Sequence, residues 1–285
     1  AHRPGFAAPT QVARRVATLD RFMNGRLWLH IITGGADLDQ QRDGAFLDHD
    51  ERYRRTDEYL EVLRKVWTAS GSFDHAGEFY QVRGGRSDVS CLQKPHVPLW
   101  FGGISEAAKP VGSKHCGTYA LFGEPRQQVS ELMAELSGLA AGFANELAFN
   151  LSFRPIIGRT EGEAWDKADA ILAGVKEAQR PNAAGKVPEA ETARRLIRLM
   201  AAGEVQDECL WVPIAEAAQG SGNSTALVGT PDQVAEAIAK YYDLGVRGVL
   251  IRGFDPFQDA IEFGEELIPA IRDKVRQRDA AKSNQ

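Results

Sequence analysis

The chain has 285 residues, of which 43% are apolar, and this is enough to bury the core of one large domain. Its formal net charge is -5 and it has no long run of like charge, so a nucleic-acid-binding surface is disfavoured. No apolar run reaches the roughly 18 residues of a membrane span, and the three widely spaced cysteines predict neither a disulfide framework nor a metal site. We expect a cytoplasmic protein without membrane or nucleic-acid partners.

Strands and amphipathic helices alternate along the first half of the chain. A strand end at residues 1–3 precedes a helix over residues 9–23, and a buried strand covers residues 27–32. Asp50 is a candidate N-cap for the next long helix, which two short strand pieces at 73–75 and 79–82 follow. The later elements are a strand after Pro98, a helix capped by Ser105, a strand over 118–122 and a helix over about 129–139.

The second half continues the alternation. A strand over residues 149–157 places Asn150, Ser152 and Arg154 on one face, and a helix runs from 161 to about 179. Residues 180–224 lose periodicity except for a short helix near 191–200, and we expect them to form a mobile lid. Thr230 and a following proline open the next helix, a strand covers 248–251, and a terminal helix runs from about 257 to 278.

Repeated strand–helix units without hairpin signals between them are typical of a parallel α/β fold. Polar residues and glycines follow the predicted strand ends at Thr33-Gly34, Gly102-Gly103, Gly123-Glu124, Arg154 and Arg252-Gly253. In a (β/α)₈ barrel this end of the strands is the catalytic face. An open doubly wound sheet also binds ligands there, so the position alone does not distinguish the two architectures.

The turn after Phe101 is the best candidate for an anion site. Two glycines interrupt the apolar strand, and without a Cβ they let the backbone approach a ligand. The first amides of the following helix have no partner within that helix, and such amides bind phosphates. The alternative is an ordinary strand-to-helix turn, since glycine-rich turns are common.

Several longer motifs occur in a fixed order along the chain. They are Pro9-Thr10, Ala17-Thr18-Leu19-Asp20, Gly25-Arg26, Ile32-Thr33-Gly34-Gly35, Asp48-His49-Asp50-Glu51-Arg52-Tyr53, Phe101-Gly102-Gly103-Ile104-Ser105-Glu106-Ala107-Ala108, Gly123-Glu124-Pro125 and Thr225-Ala226-Leu227-Val228-Gly229. As a set they resemble the bacterial luciferase-like flavin monooxygenases, in particular the FMNH₂-dependent alkanesulfonate monooxygenases. The resemblance implies one (β/α)₈ TIM-barrel domain over residues 1–285, whose first two to three strands would precede Ala1.

The resemblance also implies the chemistry. Such enzymes take reduced FMN from an NAD(P)H-dependent flavin reductase and use O₂ to oxygenate a small organic substrate, and they form homodimers or homotetramers. The turn at 103–105 would hold the FMN phosphate, with Tyr53 at the phosphate end and Thr33 and His30 along the flavin. The implied cofactor-binding residues are therefore His30, Thr33, Tyr53, Gly103, Ile104 and Ser105.

The substrate end departs from the alkanesulfonate monooxygenases. Ser152 and Arg154 stand where those enzymes have Arg and His, and Gly220 and Phe254 stand where they have Arg and Tyr. Arg154 and Arg252 remain as cations on the expected catalytic face, so an anionic substrate is favoured. We take His30, Arg154 and Arg252 as candidate catalytic residues.

Each candidate also has a structural alternative. His30 would be a hydrogen-bonded core histidine, Tyr53 a core residue of its helix, and Arg252 an ion-pair partner of Glu124. Two other functions remain open: a divergent flavin-binding barrel without activity, and an oxidoreductase that uses deazaflavin F420. The ordered motifs favour the FMN monooxygenase.

Overall fold

A computed structural model of the chain describes residues 1–34, 36–178, 191–218 and 225–283. The chain forms two compact units. The first comprises Ala1–Ala120 and Glu135–Ala148, and the second comprises Leu121–Ala134 and Phe149–Gln285. Within the described ranges, no helix is both long and apolar enough to cross a bilayer.

The first unit pairs its main strands in parallel. Its elements are α1 (Pro9–Phe22), β1 (Leu29–Ile32), α2 (Asp37–Arg42), α3 (His49–Thr68), β2 (Phe73–Ala76), β3 (Gln81–Gly85), β4 (Leu99–Gly102), α4 (Ala108–His115), most of β5 (Thr118–Phe122) and the end of α5 (Arg126–Gly142). β4 lies between β1 and β5 and is parallel to both. The side chains of Ile31, Leu99 and Phe101 are at most 1% exposed, so one face of these strands forms the core.

Two helix starts differ from the sequence prediction. Asp48, not Asp50, caps α3, because Asp48 and Glu51 form a reciprocal capping box. Ser105 does not cap a helix: α4 begins at Ala108, and the Ser105 carbonyl instead accepts the amides of Ala108 and Lys109. The turn after β4 is therefore longer than the prediction, and it leaves the Ser105 hydroxyl available.

The second unit is built around β6 (Ala148–Ile157), which is parallel to two other strands. The further elements are α6 (Glu161–Ala178), α7 (Glu191–Leu199), β7 (Val205–Gln206), β8 (Leu210–Trp211), α8 (Pro213–Ala217), β9 (Ala226–Gly229), α9 (Pro231–Asp243), β10 (Gly248–Ile251), α10 (Gln258–Glu262) and α11 (Ile268–Ser283). β9 and β10 both pair with β6 in parallel register. β8 is antiparallel to β9 and to β7, and β2 is antiparallel to β3, so the parallel α/β prediction is confirmed for the main strands alone.

Residues 191–218 contain more regular structure than the sequence predicted. The short helix is confirmed, but a β-hairpin and α8 follow it, and Leu196, Trp211 and Ile214 are at most 3% exposed. Elements of two to five residues are too short to show a periodic pattern, which explains why the prediction missed them. The remaining parts of the expected lid, residues 180–190 and 219–224, lie outside the described residues. The role of the segment as a lid stays a prediction.

The C-terminal helix is longer than predicted and is not uniform. A π-helical turn, Phe263–Leu267, separates α10 from α11. Phe263 and Leu267 are 4% and 0% exposed, so the wider turn places two large apolar side chains in the core. The closed eight-stranded barrel stays a prediction from the resemblance.

Candidate functional site

The turn after β4 contains glycines where a side chain would not fit. Ile32 and Gly102 are paired, so Thr33 and Gly103 follow at the same edge of the two strands. Gly103 has φ +137°, and a Cβ there would lie 2.9 Å from the Tyr53 hydroxyl and 3.3 Å from Ala108 Cβ. Both the conformation and the close approach therefore require glycine.

Tyr119 fixes the same peptide and was not among the predicted site residues. Its hydroxyl donates a 2.5 Å hydrogen bond to the Gly103 carbonyl, and its side chain is fully buried. Burial raises the pKa of Tyr119 well above its usual value, so the hydroxyl stays a donor. One signal was present in the sequence: a tyrosine in an otherwise apolar strand needs a partner for its hydroxyl.

Two polar atoms near this turn have no hydrogen bond of normal geometry among the described residues, although one of them, the Ser105 hydroxyl, interacts with the Tyr53 hydroxyl. They are the hydroxyl of Ser105 and Nε2 of His30, and both are buried. Burial is the main cause that lowers the pKa of His30, so the imidazole is neutral near pH 7. A buried polar atom without a partner costs about 1–3 kcal/mol, so both atoms favour a bound ligand with matching polar groups.

Tyr53 lies beside the turn as predicted. It is 6% exposed, and its burial raises its pKa, an effect that the nearby Ser105 hydroxyl partly offsets. Its hydroxyl therefore remains protonated next to Gly103. A neutral imidazole, two hydroxyls and a turn that contains two adjacent glycines fit a cofactor that combines a phosphate with a ring, as FMN does.

Thr33 and Ile104 have mainly packing roles in the structure. Thr33 is 2% exposed, and its hydroxyl lies 3.2 Å from that of Thr56 on α3. The Ile104 side chain is 8% exposed. Both side chains therefore belong to the packed interior beside the turn, and their contact with a cofactor stays a prediction.

Gln40 and Arg52 are buried polar residues that sequence reasoning missed. Each is 1% exposed, and neither amide atom of Gln40 has a hydrogen-bond partner in the described part of the chain. Arg52 donates to the Leu47 carbonyl at 2.8 Å and pairs with Asp37 at 2.7 Å. Arg52 therefore holds both Asp37 at the start of α2 and Leu47 in the loop after α2. This segment follows Thr33, which is predicted to line the flavin.

A cavity in the first unit is unsuited to a phosphate. It has a volume of about 650 Å³ and lies along α3, the β2–β3 hairpin and α4. Five carboxylates line it against the cations Arg54 and Lys114: Asp50, Asp57, Glu58, Glu61 and Glu78. This negative lining repels a phosphate dianion, so we expect the cofactor phosphate at the Gly103 turn and not in the cavity.

The second unit contains the predicted substrate cations. Arg154 on β6 donates from Nη1 to the Gly253 carbonyl at 3.0 Å, and its guanidinium lies 4.9 Å from the centre of the Phe254 ring. Burial and then the charge of Arg252 lower the pKa of Arg154. Arg252 itself is exposed. The two cations create a positive potential that favours an anion.

The alternative pairing of Arg252 with Glu124 is wrong. Nε of Arg195 on α7 donates hydrogen bonds to both carboxylate oxygens of Glu124, at 2.8 and 2.6 Å. The Glu124 side chain is 5% exposed. Burial raises the pKa of Glu124, and Arg195 partly offsets this. Sequence analysis missed Arg195 because its partner Glu124 is 71 positions away in the sequence.

The structure thus groups the predicted cofactor residues in the first unit and the predicted substrate cations in the second. Their convergence on one pocket stays a prediction, as do their individual roles. Within the described residues, no group of three or more His, Cys, Asp and Glu side chains is arranged to hold a metal ion.

Solved structures of known proteins share this fold at low sequence identity. One structure with a similar fold is a riboflavin lyase with modified FMN and riboflavin, at 20% identity and TM-score 0.76, covering 96% of this chain and 69% of that chain. An EDTA monooxygenase from Chelativorans sp. BNC1 has 19% identity and TM-score 0.77, with 96% and 72% covered. An F420-dependent secondary alcohol dehydrogenase has 14% identity and TM-score 0.65, with 92% and 75% covered. The family model for luciferase-like monooxygenases matches residues 1–248, and the chain therefore belongs to the luciferase-like monooxygenase family.

Proposed function

We propose that this protein is a monooxygenase that uses reduced FMN and O₂ to oxygenate a small anionic organic substrate such as an alkanesulfonate. The observation that carries the cofactor assignment is the pair of buried atoms without hydrogen bonds of normal geometry, Ser105 Oγ and His30 Nε2, beside the open turn at Gly103. The similarity to a structure that contains modified FMN supports the same choice. Arg154 and Arg252 support the anionic substrate.

The residues of the first unit would bind and orient the cofactor. Backbone amides from Gly103 to Ser105 would hold the phosphate, with the hydroxyls of Ser105 and Tyr53 beside it. His30 would offer Nε2 to a polar edge of the ring. Bound reduced FMN supplies the activation of O₂, and the protein has to orient it and exclude water.

The residues of the second unit would bind the substrate. Arg154 would donate charge-assisted hydrogen bonds to a sulfonate or carboxylate, and Arg252 would add a second positive charge. The resemblance to two-component enzymes supports a flavin reductase as the source of reduced FMN, a homodimer or homotetramer, a cytoplasmic location and a role in sulfur metabolism.

Arg154→Met tests the substrate class. One charge-assisted hydrogen bond is worth roughly 1.5–3 kcal/mol, so the apparent KM for octanesulfonate should rise about 10-fold or more. The KM for 1-octanol and the affinity for reduced FMN should stay within about twofold of the wild type. Arg159→Met is the control, because Arg159 is 88% exposed and pairs with Glu163 at the surface.

Other outcomes would contradict specific parts of the proposal. An equal rise in KM for both substrates would mean that Arg154 has a structural role. A matching loss of affinity for FMN would place Arg154 at the cofactor. Flavin binding without turnover would favour a divergent barrel, and hydride transfer to F420 would favour the oxidoreductase.

A further inference from the structure

The guanidinium of Arg154 is held from the loop that follows β10. Its Nη1 donates to the Gly253 carbonyl at 3.0 Å, and its Cζ lies over the ring of Phe254, 4.9 Å from the ring centre. Aromatic faces attract cations, and this offsets part of the repulsion between Arg154 and Arg252. Two consecutive residues of one loop therefore contact the group that would bind the substrate anion.

Asp259 on α10 fixes this loop. Its Oδ2 accepts the amide of Phe254 at 2.6 Å and the amide of Asp255 at 2.9 Å. A Cβ at position 253 would lie 2.2 Å from Asp259 Cβ, so glycine is required for the close approach. Asp255 in turn accepts the amides of Phe257 and Gln258, each at 3.0 Å. The loop conformation is thus determined by two carboxylates.

The Phe254 ring is only partly surrounded by packed side chains, because a cavity lies on one side of it. The ring packs against a buried cluster that includes Ile156 and Trp211, but it also borders a cavity of about 230 Å³. Ile157, Ile171 and Asp259 line the same cavity. Because the ring has free volume beside it, its position under Arg154 depends on the hydrogen bonds that the amides of Phe254 and Asp255 donate to Asp259.

We propose that Phe254 and Asp259 are positioning residues that orient Arg154 toward the substrate anion, so that the loop after β10 sets the selectivity for charged substrates. The proposal rests on the proposed function, in which Arg154 binds the anion. Asp259 acts on Arg154 through the Phe254 ring and the Gly253 carbonyl, without contact with the substrate.

A double-mutant cycle on octanesulfonate binding, measured by calorimetry, tests the proposal. Phe254→Leu keeps apolar volume but removes the aromatic face, and we expect the Kd for octanesulfonate to rise roughly fivefold. Phe254→Tyr keeps the face and should stay within about twofold of the wild type. In the Arg154→Met background, Phe254→Leu should have no further effect. The Kd for 1-octanol should stay within about twofold in each variant.

A second measurement needs no ligand. Nitrogen NMR of the Arg154 side chain reports how fast its guanidinium rotates. Rotation should be slow in the wild type and faster in Phe254→Leu and in Asp259→Ala. Glu262→Gln is the control, because Glu262 lines the same cavity and none of its described hydrogen bonds or ion pairs involves residues 253–255. Asp259→Ala should then also weaken octanesulfonate binding, and thermal unfolding checks that the variant is folded.

The outcomes separate this proposal from the proposed function. If Arg154→Met weakens octanesulfonate binding but Phe254→Leu and Asp259→Ala do not, the positioning role is wrong and the proposed function stands. If Phe254→Leu also weakens 1-octanol binding, or acts in the Arg154→Met background, Phe254 contacts the ligand directly and the proposal is wrong. If Arg154→Met has no effect on octanesulfonate, the proposed substrate class fails, and the positioning role fails with it.

Discussion

Ser105 carries a buried hydroxyl that has no hydrogen bond of normal geometry to a described residue, in a turn where glycine at 103 leaves room for a ligand. Apart from its interaction with the Tyr53 hydroxyl, the Ser105 hydroxyl contributes little to the hydrogen bonding of the fold. We expect this hydroxyl to contribute to the free energy of binding when a ligand supplies a hydrogen-bond acceptor. The residue can therefore be removed with an effect on binding and little effect on stability.

Ser105→Ala should lower the affinity for FMN about 10-fold, because one charge-assisted hydrogen bond to the phosphate is lost. The free energy of unfolding without FMN should stay the same or rise, since a buried hydroxyl without a hydrogen bond of normal geometry is removed. Fluorescence titration of FMN and urea unfolding give the two quantities. Ser113→Ala is the matched control: its hydroxyl donates to the Leu136 carbonyl at 3.5 Å, so stability should fall slightly and FMN affinity should not change. Unchanged FMN affinity in Ser105→Ala would place the phosphate elsewhere.

The sequence was informative about single residues where the chemistry is local. Gly103 was predicted from its place between a strand and a helix, and its positive φ confirms the need for glycine there. Gln40 and Arg52 were missed because nothing in their neighbours shows that they are buried. Arg195 was missed because its partner, Glu124, is 71 positions away in the sequence. Contacts over such separations depend on the fold and leave no local pattern.

At the scale of elements, α7 is attached to the end of β5 by the ion pair between Arg195, whose side chain is 28% exposed, and the buried carboxylate of Glu124. The same helix carries Arg198, whose pair with Glu191 is at the surface, with the Arg198 side chain 63% exposed. A buried pair that loses one partner leaves an uncompensated charge, whereas a surface pair contributes little. The two arginines therefore offer a direct comparison within one helix.

Arg195→Met should destabilise the protein by about 3 kcal/mol, and Arg198→Met by less than about 1 kcal/mol. Burial already raises the pKa of Glu124, and loss of Arg195 raises it further, so Glu124 takes up a proton in the folded variant more readily than in the unfolded chain. The cost should therefore be larger at about pH 8 than at about pH 6. Adding Glu124→Gln should restore most of the loss. Urea unfolding measures each value, and equal effects of the two arginine variants would contradict the buried-pair interpretation.

Elements were predicted well where they are long or carry a strong start signal. Thr230 opens α9 with proline at the first turn, as predicted, because the capping chemistry is local. β7, β8 and α8 were missed, since each is shorter than the window that a periodic pattern needs. The start of α3 was misplaced by two residues because two aspartates compete and only the reciprocal bond to Glu51 decides between them.

At the scale of the whole molecule, histidines that are half-buried or buried govern the response to acid. Burial is the largest cause that lowers the pKa of four of them: His2, His30, His96 and His115. The unfolded chain binds protons at these sites below about pH 6.5, where the folded protein does not. The neutral histidines therefore lower the free energy of unfolding only below this pH, and that free energy falls as the pH decreases through it.

We expect the free energy of unfolding to fall by about 1–3 kcal/mol between about pH 7.5 and about pH 5.5. The raised pKa of Glu124 acts in the opposite direction, but it is one group against four. Urea unfolding across this range measures the slope, and His96→Asn should reduce it. A stability that rises over the same interval would contradict the assignment of neutral buried histidines.

Incorporation of isotopically heavy oxygen tests the proposed monooxygenase activity most directly. The protein is mixed with reduced FMN, labelled O₂ and octanesulfonate, and the organic product is trapped before it exchanges oxygen with water. The proposed function predicts one labelled oxygen atom per product molecule, with the second atom in water, and no product when F420 replaces FMN. An unlabelled product, or oxidation of the substrate by F420 without O₂, would contradict it.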